Sequence, residues 1–212
     1  DKPVLPVKYA ADFQGRREAL SSKFPGELLI IPAGHLKVRA NDTFYRFRPC
    51  SDFYYLTGNL EPDCVLILEP DGKGHRSLLF VEPNPGKTDV SFFTDRVKGE
   101  LWEGARLGVP ESQKLFGIED TRSLNDLEPY VREKTAELRT QVRLLRGHSE
   151  RMEGWVKRPG EDQKDRDKGF AAVLSEMRLL KDSGEVKELV SAIQSTKRGF
   201  EDVIRRLKTA KY

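Results

Sequence analysis

The chain has 212 residues, of which 37% are hydrophobic and 33% charged, and its formal net charge is +3. This length predicts one large domain with an appendage, and no apolar run approaches the roughly 18 residues that a transmembrane helix needs. Two cysteines are too few for a disulfide scaffold, so we expect a cytoplasmic protein with no membrane partner.

The first half of the chain predicts one helix and three strands. Residues 9–24 carry Phe13, Leu20 and Phe24 at helical spacing. The run LLIIP at residues 28–32 indicates a fully buried strand. The apolar runs at residues 64–68 and 77–81 are joined by a link that contains Pro and Gly, which predicts a β-hairpin.

Beyond residue 86 the pattern changes to helices that alternate with short strands. It predicts helices over residues 124–138 and 170–180, with a brief strand at residues 142–145. Buried strands, a hairpin and interspersed helices together predict an α/β fold, in which a mixed β-sheet is flanked by helices on both faces.

Residues 150–168 are dominated by charge, with six basic and six acidic side chains. A segment of this composition buries little apolar surface when it orders. We therefore expect a mobile surface excursion here.

Residues 182–207 form the most periodic segment of the chain and predict an amphipathic helix. Asp182 and Glu185 have the spacing of a capping box at its start. Residues 184–212 carry seven basic against four acidic side chains, which leaves thirty of each sign in the rest of the chain. Because acidic residues interrupt the basic ones, a solvated helix face explains them, and we expect no nucleic-acid partner.

Sequence motifs for catalysis or cofactor binding are missing from the chain. There is no glycine-rich phosphate loop or dinucleotide fingerprint. The three histidines lie far apart without a second ligand nearby, which favours surface or hydrogen-bonded roles over a zinc site. Cys50 and Cys64 are interpreted as small apolar filler rather than nucleophiles.

Two clusters stand out. In residues 39–58, arginines and aspartates alternate with aromatic side chains, which suits an aromatic layer covered by arginine stems. Residues 100–108 are either a helix end packed by Trp102 and Leu107, or an exposed pair of Trp102 and Arg106 that meets a ligand or a partner.

These clusters resemble blocks of a known family. The run YRFRPCSDFYYLTG at residues 45–58 is similar to a block in the N-terminal, creatinase-like domain of aminopeptidase P, also called Xaa-Pro aminopeptidase and related to prolidase. The run ELWEGARLG at residues 100–108 resembles the family's second block, and EMRLLK at residues 176–181 resembles the junction to its catalytic domain. The family's usual aromatic-Arg-Gln reads Phe47-Arg48-Pro49 here.

The resemblance implies a domain over residues 9–180, then a linker and the first helix of a catalytic domain over residues 181–212. It implies that the metal-binding "pita-bread" domain, with two divalent ions that are usually manganese, follows outside this chain. On this basis we expect neither catalytic residues nor metal ligands here, and no peptide hydrolysis by this chain alone. By the same resemblance, Trp102 reaches a neighbouring subunit's active site, and Arg106 matches a recurring arginine of that block.

Two functions follow as hypotheses. In the first, the chain is the noncatalytic domain of a dinuclear-metal Xaa-Pro aminopeptidase, which contributes to homo-oligomerisation and controls the access of proline-containing peptides. In the second, it is a freestanding protein-binding or adaptor module of the same fold. The coding sequence after Tyr212 separates them, because two Asp, one His and two Glu as metal ligands downstream favour the enzyme.

Overall fold

The computed structural model describes residues 5–41, 43–72, 74–138, 141–156 and 161–207. The chain divides into two compact units, Asp1–Ser175 and Glu176–Tyr212. The helices of the described residues are α1 (Ala10–Ser21), α2 (Ser51–Thr57), α3 (Ser91–Thr94), α4 (Glu100–Glu103), α5 (Val109–Phe116), α6 (Leu127–Leu138), α7 (Glu150–Trp155), α8 (Glu161–Met177) and α9 (Ser183–Leu207). The strands are β1 (Leu28–Pro32), β2 (Val38–Ala40), β3 (Thr43–Phe44), β4 (Val65–Asp71), β5 (Gly74–Val81), β6 (Asp120–Ser123) and β7 (Val142–Leu144).

Five strands of the first unit form one mixed sheet in the order β6-β5-β4-β1-β7. Strand β4 runs antiparallel to both β1 and β5, whereas β1 with β7 and β5 with β6 are parallel. The predicted mixed sheet is therefore confirmed, as is the hairpin of β4 and β5. One residue of the hairpin link, Lys73, lies outside the described residues.

The core lies on both faces of this sheet because its central strands are apolar at consecutive positions. Leu28 and Ile30 face one side with Val131 of α6 and Met152 of α7. Leu29 and Ile31 alternate with them and are equally buried. On that second side, α1 contacts β5, while α2 contacts β1 and β4. The buried strand over residues 28–32 is thus confirmed.

Helix α2 lies inside the first aromatic cluster, where the sequence pattern did not predict a helix. Phe, Tyr and Thr are poor helix formers, so the ends of this short helix need outside partners. The Cys50 thiol accepts a hydrogen bond from the Phe53 amide at 3.3 Å. At the other end, Arg17 of α1 donates to the Leu56 carbonyl at 2.8 Å. Gly58 then ends the helix with φ at +68°.

The prediction of a mobile excursion over residues 150–168 is wrong for the described part of that segment, which contains α7 and the first half of α8. The prediction failed because charge composition hides which positions share one helix face. The buried residues of α8 recur at helical spacing: Gln163, Asp167, Phe170 and Leu174. Residues 157–160 of the predicted excursion lie outside the described residues.

The second unit contains α9, which begins with the predicted capping box. The Glu185 amide donates to Asp182 Oδ1 at 2.8 Å, and the Asp182 amide donates to Glu185 Oε2 at 3.1 Å. The apolar side chains of α9 are exposed: Val186, Leu189, Val190, Ile193, Phe200, Val203, Ile204 and Leu207. Within the described residues, no helix has both the length and the apolar character needed to cross a bilayer.

Candidate functional site

The two sequence clusters meet in one cleft of about 560 Å³ in the first unit. From the first cluster and the turn that follows it, the cleft takes Phe44, Tyr45, Arg46, Phe47, Glu61, Pro62 and Asp63. From the region of the second cluster it takes Val97, Lys98, Glu103 and Arg106. Segments separated by some forty residues thus line a single surface with aromatic, acidic and basic side chains.

A tight turn after α2 brings Glu61 to this cleft. The Asn59 side chain accepts a hydrogen bond from the Glu61 amide at 2.7 Å, which fixes the bend just beyond Gly58. Burial raises the pKa of Glu61, while the positive charge of Arg106 and a hydrogen bond from the Leu107 backbone oppose that rise. The contact between the two blocks is therefore partly electrostatic.

Arg106 is half-buried, and its guanidinium donates to the Lys98 carbonyl. Lys98 in turn pairs with Glu82 at 2.7 Å. The predicted site residue Arg106 thus lines the cleft while its side chain holds a neighbouring loop. Its expected role in substrate access stays a prediction.

Trp102 protrudes from α4 with 55% of its surface exposed. Its indole Nε1 donates to the Phe93 carbonyl at 2.9 Å, and the Arg96 guanidinium lies 5.7 Å from the ring centroid. Phe93 and Leu101 are similarly exposed, at 56% and 55%. The arrangement is an exposed aromatic side chain whose indole is held by one hydrogen bond and one cation, the kind of group that anchors protein contacts.

A turn between α3 and α4 brings Trp102 back over Phe93. The Asp95 carboxylate accepts the amides of Val97 and Lys98, each at 2.9 Å, and these hydrogen bonds lower the pKa of Asp95. The turn requires glycine at position 99, because a Cβ there would lie 2.3 Å from the Asp95 carbonyl oxygen. The sequence pattern indicated Trp102 but not Asp95 or Gly99, because a single Asp and a single Gly form no recognisable motif.

His75 and His35 form hydrogen bonds with neighbouring side chains and backbone, as predicted. The Ser21 hydroxyl lies 2.7 Å from His75 Nδ1, and His75 Nε2 donates to the Glu27 carbonyl at 2.6 Å. This pair lines a second, larger cleft of about 940 Å³ beside α1. His35 pairs with Asp63 at the rim of the first cleft. Cys64 is buried, and burial raises the pKa of its thiol.

No group of three His, Cys, Asp or Glu side chains that could hold a metal ion occurs among the residues that the structure describes. The walls of the cleft expose Tyr45, Arg46 and Glu103, which offer an aromatic, a cationic and an anionic group for contact with a ligand.

Comparisons with known proteins agree with this fold. Residues 13–142 match the family described as "Aminopeptidase P, N-terminal domain". Xaa-Pro aminopeptidase 1 of Streptomyces coelicolor is 41% identical over 205 residues, which cover 97% of this chain and 40% of that protein. Xaa-Pro aminopeptidase 2 of the same organism is 37% identical over 209 residues, covering 98% of this chain and 42% of that protein.

A solved structure of aminopeptidase P from E. coli, in its low-pH form, shares the fold with a TM-score of 0.64 and 25% identity. The match covers 85% of this chain and 41% of that one. The chain therefore spans about two fifths of the length of the curated relatives and of this structural neighbour.

Proposed function

Because the chain belongs to the aminopeptidase P N-terminal domain family, we propose that it is the noncatalytic domain of an Xaa-Pro aminopeptidase. Relatives with that name match nearly all of this chain, while the chain spans only about 40% of their length. In the proposed parent protein, the remaining length supplies the peptidase domain, with residues 181–212 as the linker and first helix leading into it.

The metal chemistry belongs outside this chain in our proposal. Two divalent ions, which we propose are manganese, would stabilise the charge that develops when the amide bond before proline is hydrolysed. The described residues do not fit such a site, since they bring no three suitable ligands together. We therefore assign no step of the reaction to this chain and propose that it is inactive alone.

Trp102 carries the proposed role in substrate access. Its exposed ring is held by Phe93 and Arg96, so it can fill space in a neighbouring subunit of a homo-oligomer without losing its orientation. A wall of this kind beside an active site narrows the entrance, so that only a free peptide end reaches the metals. Arg106 lines the cleft of about 560 Å³, and in our proposal it shares this role.

The test is Trp102→Ala in the parent enzyme, with kcat/KM measured on Xaa-Pro peptides. Removal of an anchoring aromatic side chain should lower kcat/KM about tenfold or more, a loss of ~1.4 kcal/mol or more. Leu101→Ala is the matched control, because Leu101 is the adjacent residue and equally exposed, at 55%. An unchanged kcat/KM in the Trp102 variant, with the oligomer intact, removes Trp102 from the site.

A further inference from the structure

Asn84, in the loop after β5, makes three hydrogen bonds with one side chain. Its Nδ2 donates to Glu100 Oε1 at 2.9 Å and to the Arg106 carbonyl at 3.1 Å, and its Oδ1 accepts from the Gly86 amide at 2.9 Å. A carboxylate and a carbonyl only accept, and an amide N–H only donates, so these partners also determine which way the Asn84 amide points.

Glu100 connects this loop to the segment after α4. The same oxygen, Oε1, accepts the Arg106 amide at 2.8 Å. That backbone hydrogen bond, and then the one from Asn84, lower the pKa of Glu100, so the carboxylate is charged at neutral pH. The residue that starts α4 and the residue three positions past its end are therefore joined through one carboxylate.

Arg106 closes the arrangement from the other side. Its guanidinium donates to the Lys98 carbonyl, just before α4, and Lys98 binds Glu82 next to the end of β5. We call Asn84, Glu100 and Arg106 the bracket. It holds both ends of α4, a helix of four residues that is too short to be stable from its own hydrogen bonds.

We propose that Asn84 is a positioning residue, which acts through the bracket to fix α4 and thereby the indole of Trp102. Trp102 lies two residues after Glu100 and four before Arg106, inside the loop that the bracket closes. The importance of this position for peptidase activity rests on the proposed function. The effect of Asn84 on the orientation of the Trp102 indole concerns this chain alone and does not depend on the proposed function.

The first test uses Asn84→Asp, which keeps the oxygen that accepts from Gly86 but removes both Nδ2 donors and places a negative charge beside Glu100. The chain has two tryptophans, so Trp155→Phe leaves Trp102 as the only one and makes its fluorescence specific. In that background, Asn84→Asp should lower the steady-state anisotropy of Trp102 and raise its acrylamide quenching about twofold. Asn125→Asp, at an exposed position, is the control and should change neither.

A compensating variant makes the test specific for the hydrogen bond. Glu100→Gln in the Asn84→Asp protein reverses donor and acceptor. The amide introduced at position 100 then donates to the carboxylate introduced at position 84, while its carbonyl oxygen still accepts from the Arg106 amide. Anisotropy should return at least halfway toward the starting value. If Asn84→Asp does not fold, Glu100→Ala, which removes the shared acceptor, should release Trp102 in the same way.

Unchanged Trp102 fluorescence in these folded variants overturns the inference, as does an equal change in Asn125→Asp. In the parent enzyme, Asn84→Asp should lower kcat/KM less than Trp102→Ala does, and it should add nothing further to the Trp102 variant. If Trp102→Ala leaves activity unchanged while Asn84→Asp still releases the indole, the proposed function fails and the bracket stands.

Discussion

Gly58 shows how one residue joins the first two helices of the domain. It ends α2 with φ at +68°, in the left-handed region that favours glycine. A Cβ at this position would lie 2.4 Å from Cε2 of Phe13, whose ring belongs to α1. The position therefore excludes side chains both by backbone conformation and by contact with a residue far away in sequence.

Gly58→Ala should lower the free energy of unfolding by ~2 to 4 kcal/mol, because strain and overpacking add at one site. Gly15→Ala within α1 is the matched control: apart from its chain neighbours and the backbone of its own helix, no described heavy atom lies within 4 Å of the added Cβ. It should raise stability by ~0.5 to 1 kcal/mol, since Ala favours a helix over Gly. Urea unfolding of both proteins measures the difference, and equal stabilities would contradict the argument.

For single residues, the sequence identified important side chains but did not predict their exposure or their partners. It singled out Trp102 and Arg106 and left open whether they pack a helix end or face a partner; the structure gives Trp102 as half-exposed and Arg106 as half-buried. Asn84 was not predicted, because a single Asn in a loop has no periodic neighbours. Only the approach of its loop to residues 100–106 gives it three partners.

Among the elements, α8 covers the free edge of β7. Asp167 Oδ1 accepts the Leu144 amide at 3.0 Å, and Gln163 Nε2 donates to the Val142 carbonyl at 2.9 Å. Gln163 also donates to Asp167 at 2.9 Å. Polar side chains on the buried face of a helix thus take the place of a sixth strand.

Asp167→Ala should destabilise the domain by ~3 kcal/mol, because the Leu144 amide and Gln163 lose their buried acceptor. Asp165→Ala is the control on the same helix: Asp165 is exposed and, among the described residues, pairs with Lys168 at the surface, so its loss should cost ~0.5 kcal/mol or less. Thermal unfolding measures both variants, and the Leu144 amide should exchange faster in the first. Similar stabilities for the two would refute the role of Asp167.

Predictions of elements succeeded where apolar spacing was regular and failed where polar residues are buried. The strand over residues 28–32 and the helix over residues 182–207 have apolar repeats that are visible in the sequence. The buried face of α8 includes Gln163 and Asp167, and a sequence pattern assigns polar residues of these types to the surface. Their burial is stabilised by β7, a partner that no local pattern reveals.

On the scale of the whole molecule, one ion-pair cluster joins distant parts of the first unit. Glu27, just before β1, accepts from Arg143 of β7 at 3.0 Å and from Arg166 of α8 at 3.4 Å. Burial alone would raise the pKa of Glu27, but the hydrogen bonds and charges of the two arginines outweigh it and lower the pKa.

The sign of the pH effect follows from that lowered pKa. Glu27 stabilises the fold above its unfolded pKa of about 4.5, and this contribution is lost as the pH falls through the lower folded value. Glu27→Gln should cost ~1 to 3 kcal/mol at neutral pH, and the difference from wild type should shrink as the pH falls from 7 to below about 4.5. Urea unfolding across that range measures it. A difference independent of pH would contradict the ion pair.

The sequence predicted four of the five strands of this sheet, all except β6, and did not predict their order. Strand β1 lies between β4 and β7, and Arg143 is 116 residues from its partner Glu27. Pairings of that kind depend on side chains that meet only after the chain has folded, whereas the hairpin of β4 and β5 is set by its own turn.

The covered edge of β7 has a consequence for how copies of this protein can associate. An open strand edge invites another molecule to continue the sheet, which is the route to fibrils. Here Gln163 and Asp167 occupy two of the outward backbone groups, so growth in that direction is blocked. Crowded copies should therefore not extend the sheet at β7, and a defined assembly would have to form through other surfaces.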